Sequence, residues 1–196
     1  MAEFYDVRGP FFENGYAIIL KDEKYGMIND KEKIIVPCKY DDIDYFHCGL
    51  ARVKKNNKFG FVNNEGNEII PCVFDFAGQF MNGSSDVKKD NKWGFIDVTG
   101  KIIVPLVYEN VTVFIDGLAG VEKEGKWGFV NEEGKEIIPC VYDWIEGAFQ
   151  YGFAKVLKNL NKRGFIDKNG KEYFGKSAEE IEYFINVTRI KGEIEK

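Results

Sequence analysis

The chain has 196 residues, of which 44% are hydrophobic and 30% charged, and this composition excludes a disordered tail. A formal net charge of −5 argues against a surface for nucleic acid or for an anionic membrane, while 17 Phe and 10 Tyr favour sheet over helix. Because the N-terminus lacks a signal-peptide pattern and no apolar run reaches the ~18 to 20 residues of a membrane span, we expect a cytoplasmic protein.

The chain begins with a half unit, residues 5–20, and then repeats one pattern. The repeat starts with a tetrad, "KYGM" at Lys24 and "KFGF" at Lys58 for example, and the glycines of the five tetrads are Gly26, Gly60, Gly94, Gly128 and Gly164. Successive glycines are 34, 34, 34 and 36 residues apart, and a second marker, the proline of "IIVP" or "EIIP", falls at Pro37, Pro71, Pro105 and Pro139. The two spacings agree, so the sequence predicts tandem units of about 34 residues.

Each unit reads as about three short antiparallel strands. "WGFID" alternates as a strand, and "DVTGK" after it has an Asx residue and a glycine three positions later, as in a hairpin with positive φ at the glycine. The first unit has Glu32 at that position, so its hairpin is expected to be the least well defined. The strand "KIIVP" stops at its proline, and "LARVKK", from Leu50 to Lys55, forms the third strand. We further expect the tetrad glycines to allow close approach of a neighbouring unit.

The last tetrad, at Lys162, opens a second half unit that ends at Phe174. Four full units between two complementary half units predict an all-β domain over residues 1–174. Two architectures remain open: a curved open β-repeat stack capped by the half units, or a closed five-unit propeller-like ring in which the half units meet.

Residues 175–196 break the repeat and predict one amphipathic α-helix. Ser177 and Glu180 have the spacing of a capping box, and Ile181, Phe184 and Ile185 follow at helical spacing. This helix either caps the sheet end or binds a partner.

The recurrent pattern K-[W/F/Y]-G-F-[I/V]-[D/N]-x-x-G-[K/N]-x-I-[I/V]-P-x-x-[Y/F]-[D/E] resembles the WG-repeat family of bacterial proteins from Tyr5 to Phe174. Only Trp93 and Trp127 keep the tryptophan of that pattern, and Tyr25, Phe59 and Arg163 replace it elsewhere. The resemblance implies a β-rich scaffold of a binding or interaction protein, and it carries no catalytic residues.

The residue chemistry gives no reason to expect an enzyme, a metal or a cofactor. Cys38, Cys72 and Cys140 follow the repeat prolines where the third unit has Leu106, which indicates packing rather than metal binding. His47 and Cys48 are adjacent and would point to opposite faces of a strand, which is unsuitable for proton transfer.

Carboxylates recur at one position of the unit, directly after the aromatic residue that follows the proline. These are Asp41, Asp75, Glu109 and Asp143, and recurrence at the end of a strand indicates a turn role rather than a pair of catalytic acids.

The variable segments between the units are the predicted place of function, because they mix aromatic with acidic side chains. The candidate binding residues are Asp42, Asp44, Tyr45, Phe76, Phe114, Asp116, Trp144 and Glu146. They either form a row of anchors on one surface or, for most of the rings, pack between units. We expect a monomer that binds a protein partner with a basic surface; the alternatives are a cytosolic immunity protein that neutralises a bacterial toxin, and a glycan-binding repeat protein.

Overall fold

The structure is a computed structural model that describes residues 6–13, 15–150 and 152–175, together with Glu180, Tyr183 and Asn186. Its strands form five four-stranded antiparallel sheets, each built from consecutive strands. Sheet 1 contains β1 (Asp6–Glu13), β2 (Tyr16–Lys21), β3 (Lys24–Asn29) and β4 (Ile34–Tyr40). Sheet 2 contains β5 (Asp42–Ile43), β6 (Leu50–Lys55), β7 (Lys58–Asn63) and β8 (Glu68–Phe74).

Sheet 3 contains β9 (Phe76–Ala77), β10 (Ser84–Lys89), β11 (Lys92–Asp97) and β12 (Ile102–Tyr108). Sheet 4 contains β13 (Asn110–Val111), β14 (Leu118–Lys123), β15 (Lys126–Asn131) and β16 (Glu136–Tyr142). Sheet 5 contains β17 (Trp144–Gln150), β18 (Phe153–Lys158), β19 (Lys162–Asp167) and β20 (Glu172–Phe174). The predicted all-β repeat fold is confirmed.

The chain divides into two compact units. One contains the residues up to Asn91 with Phe95–Ile102, and the other contains Lys92–Gly94 with the residues from Ile103 onward. Sheets 1 and 2 lie in the first unit, and sheets 4 and 5 lie in the second.

The sheets differ from the predicted units in strand number and in phase. Each has four strands, because a first strand, only two residues long in sheets 2, 3 and 4, follows the recurrent carboxylate. Each sheet also joins the second half of one sequence unit to the first half of the next, so the N-terminal half unit is completed by β3 and β4. The C-terminal half unit is completed in the same way by β17 and β18, rather than by the N-terminal one.

The predicted Asx turns connect the third and fourth strands of the sheets. In sheet 2 the Oδ1 atom of Asn63 accepts from the amide of Asn67 at 2.8 Å, and Gly66 has φ of 84°. In sheet 1 Glu32 has φ of 58°, and its amide donates to the carbonyl of Asn29 at 2.9 Å. The first hairpin therefore has the same geometry as the others, and the expectation that it is the least well defined was wrong.

The tetrad glycines allow close approach, but of a different neighbour from the one expected. Between Trp127 and Phe129 the ladder partner on β16 moves from Tyr142 to Ile138, so the segment around Pro139 bulges out of the ladder. A Cβ atom on Gly128 would lie 2.7 Å from the Cys140 amide nitrogen and 2.7 Å from the Pro139 carbonyl carbon. The glycine thus accommodates the proline bulge of its own sheet rather than an adjoining unit.

Contact between sheets comes from side chains on the strands and on the loops that follow each first strand. Phe80 packs edge-on against Phe61 with ring centroids 4.7 Å apart, and Phe149 packs in the same way against Phe129 at 4.8 Å. All four rings are buried. Each pair joins one sheet to the next, so a phenylalanine that lay in a variable segment of the sequence belongs to the core.

A second contact between sheets is a tyrosine to glutamate hydrogen bond. The Tyr142 hydroxyl, at the end of β16, donates to Glu172 Oε1 in β20 at 2.9 Å, and Tyr40 donates to Glu68 in the same way at 3.2 Å. Burial, followed by the neighbouring glutamate, raises the pKa of both tyrosines above the ordinary value.

The recurrent cysteines are half-buried, in agreement with a packing role. Burial raises the pKa of Cys72 and of Cys140 to about 11, and the Cys140 thiol donates to the Val121 carbonyl at 3.7 Å.

The predicted C-terminal helix falls mostly outside the described residues. Glu180, Tyr183 and Asn186 are helical and exposed, whereas Ile181 and the rest of the apolar stripe are not described. The capping role of residues 175–196 therefore stays a prediction. Within the described part of the chain no helix has the length and apolarity of a membrane span.

Candidate interaction surface

The candidate binding residues are best located relative to the two ends of each sheet. We call the end with the turn between the second and third strands the lysine end, and the end with the Asx turn the Asx end. Trp144 pairs with Leu157 and Asp42 with Lys54, so both lie at the lysine end of their sheets. Phe114 and Asp116 precede Leu118, which pairs with Asn131 at the Asx end. Phe114 and Trp144 therefore do not share one row.

The candidate carboxylates are engaged by cations of the same chain. Asp44 lies 2.7 Å from Arg52, Glu146 lies 3.1 Å from Lys155, and Asp116 lies 3.6 Å from Lys168. The fourth, Asp42, is half-buried opposite Lys54 in the ladder. Among the described residues no group of three or more His, Cys, Asp or Glu side chains is placed to hold a metal ion.

The candidate aromatic side chains differ in exposure. Tyr45 and Phe114 are half-buried, and Tyr45 packs against the core of the first unit. Phe76 is 38% exposed, with its ring tilted over Phe59 at 6.1 Å. Trp144 is 58% exposed and is the most accessible ring of the eight candidates. Packing thus accounts for Tyr45 and Phe114, whereas Trp144 presents its surface to solvent.

The ring of Trp144 is held in place by a second tryptophan. Trp127, on β15, is only 8% exposed, and its ring lies edge-on to that of Trp144 with centroids 6.2 Å apart and planes at 72°. A buried ring in this position limits the orientations of the exposed one, so Trp144 is preorganised for contact.

The recurrent carboxylates stabilise the lysine ends. Asp143 accepts hydrogen bonds from Lys126 Nζ and from the Leu160 amide, the latter at 2.7 Å. Asp41 makes the same two contacts, with Lys24 at 2.6 Å and with the Asn56 amide at 2.6 Å. The lysine hydrogen bond, followed by the amide, holds the pKa of Asp143 and of Asp41 below the ordinary value. These acids are therefore turn residues, in agreement with the sequence interpretation.

Sequence reasoning missed Leu160, whose amide donates to the carboxylate of Asp143, the residue directly before Trp144. Leu160 is 81% exposed and has φ of 59°, although a branched aliphatic residue is disfavoured there both by solvent and by the backbone. The other lysine-end turns have polar residues or glycine at the two positive-φ positions: Asp22 and Glu23, Asn56 and Asn57, Asp90 and Asn91, Glu124 and Gly125.

The sequence does mark the sheet end that carries Leu160, because the last glycine spacing is 36 residues instead of 34. Both extra residues lie in segments that meet at this sheet end. One lies between Asp143 and Phe149, which span six positions where Asp41 and Phe46 span five. The other extends the turn that carries Leu160.

We define the Trp144 surface as Trp144, Leu157, Leu160, Lys162 and Arg163. Trp144 pairs with Leu157, and Leu157 pairs with Arg163, so these three lie side by side on one face of sheet 5. Lys162 and Arg163 are exposed. Arg163 occupies the repeat position that Trp127 fills in sheet 4.

Comparison with solved structures gives similarities of fold. A structure titled as the eukaryotic initiation factor aligns over 84% of this chain and 52% of its own, with a TM-score of 0.51 and 11% identity. Kluyveromyces lactis Hsv2 aligns over 82% and 59% with a TM-score of 0.45 and 11% identity. BamB from Moraxella catarrhalis aligns over 83% and 58% with a TM-score of 0.42 and 8% identity. The chain thus spans little more than half the length of each.

Sequence comparison with characterised proteins gives no significant match. The family model for the WG containing repeat, in contrast, matches five successive segments, residues 2–25, 25–59, 59–93, 93–127 and 127–162. Together these segments cover nearly the whole repeat region, and the four boundaries between them fall at the aromatic residues of the first four tetrads. The chain therefore belongs to the family of proteins built from WG-containing repeats.

Proposed function

We propose that this protein is a non-catalytic binding module that contacts a protein partner through the Trp144 surface. The observation that supports this most is the exposed pair of Trp144 and Leu160 at the one lysine end where the repeat is interrupted by extra residues. An exposed tryptophan and an exposed leucine at one sheet end form apolar surface of the kind that marks an interaction site.

The composition of the surface fits a protein interface. Tryptophan and arginine are enriched among the residues that contribute most to binding between proteins, and Trp144 and Arg163 are neighbours across Leu157. The supporting ring of Trp127 fixes the orientation of Trp144, which lowers the entropy that binding would cost.

The expected basic partner has weaker support than the protein partner. It rested on the net charge and on four acids, of which Asp44, Asp116 and Glu146 are neutralised by cations of the same chain. The immunity and glycan-binding alternatives have no residue in the described chain that favours them over a general protein contact.

Site-specific photocrosslinking tests the proposal in lysate of the source cell. A benzophenone amino acid is placed at Leu160 or, as a control, at Val113, which is 46% exposed on a loop toward the Asx end of sheet 4. We expect a protein adduct from position 160 that disappears when Trp144→Ala is added, and none from position 113. Equal adducts from both positions, or adducts at 160 that ignore Trp144→Ala, would show that the Trp144 surface is not the contact.

A further inference from the structure

We infer that the Trp144 surface binds an extended protein segment in which acidic residues lie beside an apolar or aromatic side chain. This inference rests on the proposed function and adds the chemistry of the partner. It depends on the charges around Trp144, on the register of sheet 5, and on the backbone of the turn that carries Leu160.

The carboxylates around Trp144 are paired within the chain, although the whole chain has a net charge of −5, and Glu146, two residues along β17, pairs with Lys155 at 3.1 Å. Asp143 is engaged by both Lys126 and the Leu160 amide, and Glu172 is engaged by both Lys158 and Tyr142. After the Lys158 hydrogen bond, Lys162 also lies close enough to Glu172 to lower the pKa of that carboxyl, so the exposed Arg163 is the cation that these contacts leave over. Within the described part of the chain Arg163 forms no ion pair.

The register of sheet 5 gives the spacing between the apolar and the basic contact. Neighbouring strands are about 4.8 Å apart, so Trp144 and Arg163, separated by the strand of Leu157, lie roughly 10 Å apart. An extended peptide advances roughly 3.3 Å per residue. A carboxylate about three residues from an apolar anchor would therefore reach Arg163 while the anchor covers Trp144.

The guanidinium of Arg163 selects the kind of anion. A planar fork of N–H donors binds a carboxylate through two parallel hydrogen bonds, and an exposed arginine retains those donors for a ligand. A basic segment would bring like charges to Lys162 and Arg163, which disfavours it at this surface.

A nucleic acid would also bring negative charge, but it fits less well. A polyanion extends well beyond the few residues of the Trp144 surface and meets the rest of a chain whose net charge is −5. A short peptide with one to three carboxylates stays within about one Debye length, about 8 Å, of the local cations.

The experiment is selection from a random 12-residue peptide library displayed on phage, panned in parallel on the full chain and on its Trp144→Ala variant. We expect the peptides that require Trp144 to carry Asp or Glu about three residues from Trp, Phe or Leu. A synthetic peptide of the selected sequence should then bind at least fivefold more weakly to Arg163→Glu. The matched control is Lys171→Glu, the same charge change at the Asx end of the same sheet, and it should change the Kd by less than twofold.

The outcomes separate the inference from the proposed function. Selected peptides that require Trp144 but are basic or uncharged, or an unchanged Kd for Arg163→Glu, would overturn the acidic segment and leave the protein contact in place. Binding of a 12-nucleotide oligothymidine that requires Trp144, or a Trp144-dependent dimer in sedimentation, would replace it with nucleic acid or a second copy. Thermal unfolding of each variant verifies that it is folded.

Discussion

The substitution Gly128→Ala isolates the close contact between a tetrad glycine and the proline bulge. The added Cβ would lie 2.7 Å from two backbone atoms, the Cys140 nitrogen and the Pro139 carbonyl carbon, and closer still to the Ile138 carbonyl oxygen. Ordinary contacts to a Cβ begin near 3.4 Å, so β16 must move by at least roughly 0.7 Å, and backbone cannot rotate away as a side chain can. Overpacking of this kind costs about 3 kcal/mol.

A matched control separates this contact from backbone conformation. Gly117 has φ of 80° and no heavy atom within 4 Å of its built Cβ, so Gly117→Ala introduces only the strain of positive φ, about 1 kcal/mol. With an m-value of about 2 kcal/mol/M, urea midpoints should fall by roughly 1.5 M for Gly128→Ala and roughly 0.5 M for Gly117→Ala. If Gly128→Ala loses no more stability than Gly117→Ala, the bulge does not need the glycine and the reasoning fails.

Four further results are expected. Glu32→Gly should stabilise the protein by about 0.5 to 1 kcal/mol in urea titration, because Glu32 has φ of 58° and is exposed; a loss of stability would contradict the strain. Tyr142→Phe should cost about 1 kcal/mol, and a double-mutant cycle with Glu172→Ala should show coupling, whereas additive losses would mean that the hydrogen bond contributes nothing. The pKa of Asp143 is lowered by folding, so its contribution to stability is present above the unfolded pKa of 3.8 and is lost as pH falls toward the folded value. In a pH series of melting curves, Asp143→Asn should therefore reduce the loss of stability at acid pH, and an unchanged loss would refute the role of Asp143 in stabilising the turn. Removal of the residues after Phe174 should promote self-association in sedimentation if the predicted helix caps the sheet end, and a monomer with unchanged melting would mean that it does not.

The periodic part of the fold could be predicted because each repeated residue has a local physical role. Positive φ requires a residue such as Gly66, and the amides of a turn require an acceptor such as the Asn63 side chain. These needs act within a few residues, so they are visible in any single unit and are confirmed by their recurrence.

The phase of the repeat could not be predicted, because periodicity gives the length of a unit and not where a sheet begins. The two-residue strand β5 has too little pattern to be recognised, and without it the boundary between sheets 1 and 2 cannot be located. The neighbour of Gly128 was misassigned for a different reason: between Trp127 and Phe129 the ladder partner moves by four residues, from Tyr142 to Ile138, and the sequence pattern does not show this bulge.

The candidate site was predictable only in part. Trp144 was identified from its residue type in a variable segment, and it is exposed. Leu160 was missed because a leucine in a polar turn shows neither its left-handed backbone nor its exposure in the sequence. Phe76 is exposed whereas Phe114 is half-buried. This difference depends on how each ring packs against neighbouring strands, which the residue type alone does not show.

Tandem repeats also contain their own controls, and this separates structural departures from functional ones. Phe74 stands where three sheets have Tyr, and Ile102 stands where the Glu that accepts from that tyrosine would be. Both members of the tyrosine to glutamate hydrogen bond are therefore replaced by apolar residues at this position. Glu32 replaces a turn glycine, but its side chain is exposed, whereas a Cβ on Gly66 would lie 2.9 Å from the Ile35 carbonyl carbon of the preceding sheet.

Both of those departures are accommodated by a second change or by open space. Leu160 differs from both, since it keeps the positive φ of its turn, loses the polar side chain that suits it and leaves an apolar side chain 81% exposed to solvent. A local conflict that the fold does not compensate is expected where a residue is retained for binding rather than for stability. That contrast among equivalent positions, rather than exposure alone, is why the Trp144 surface is the place to look for the partner.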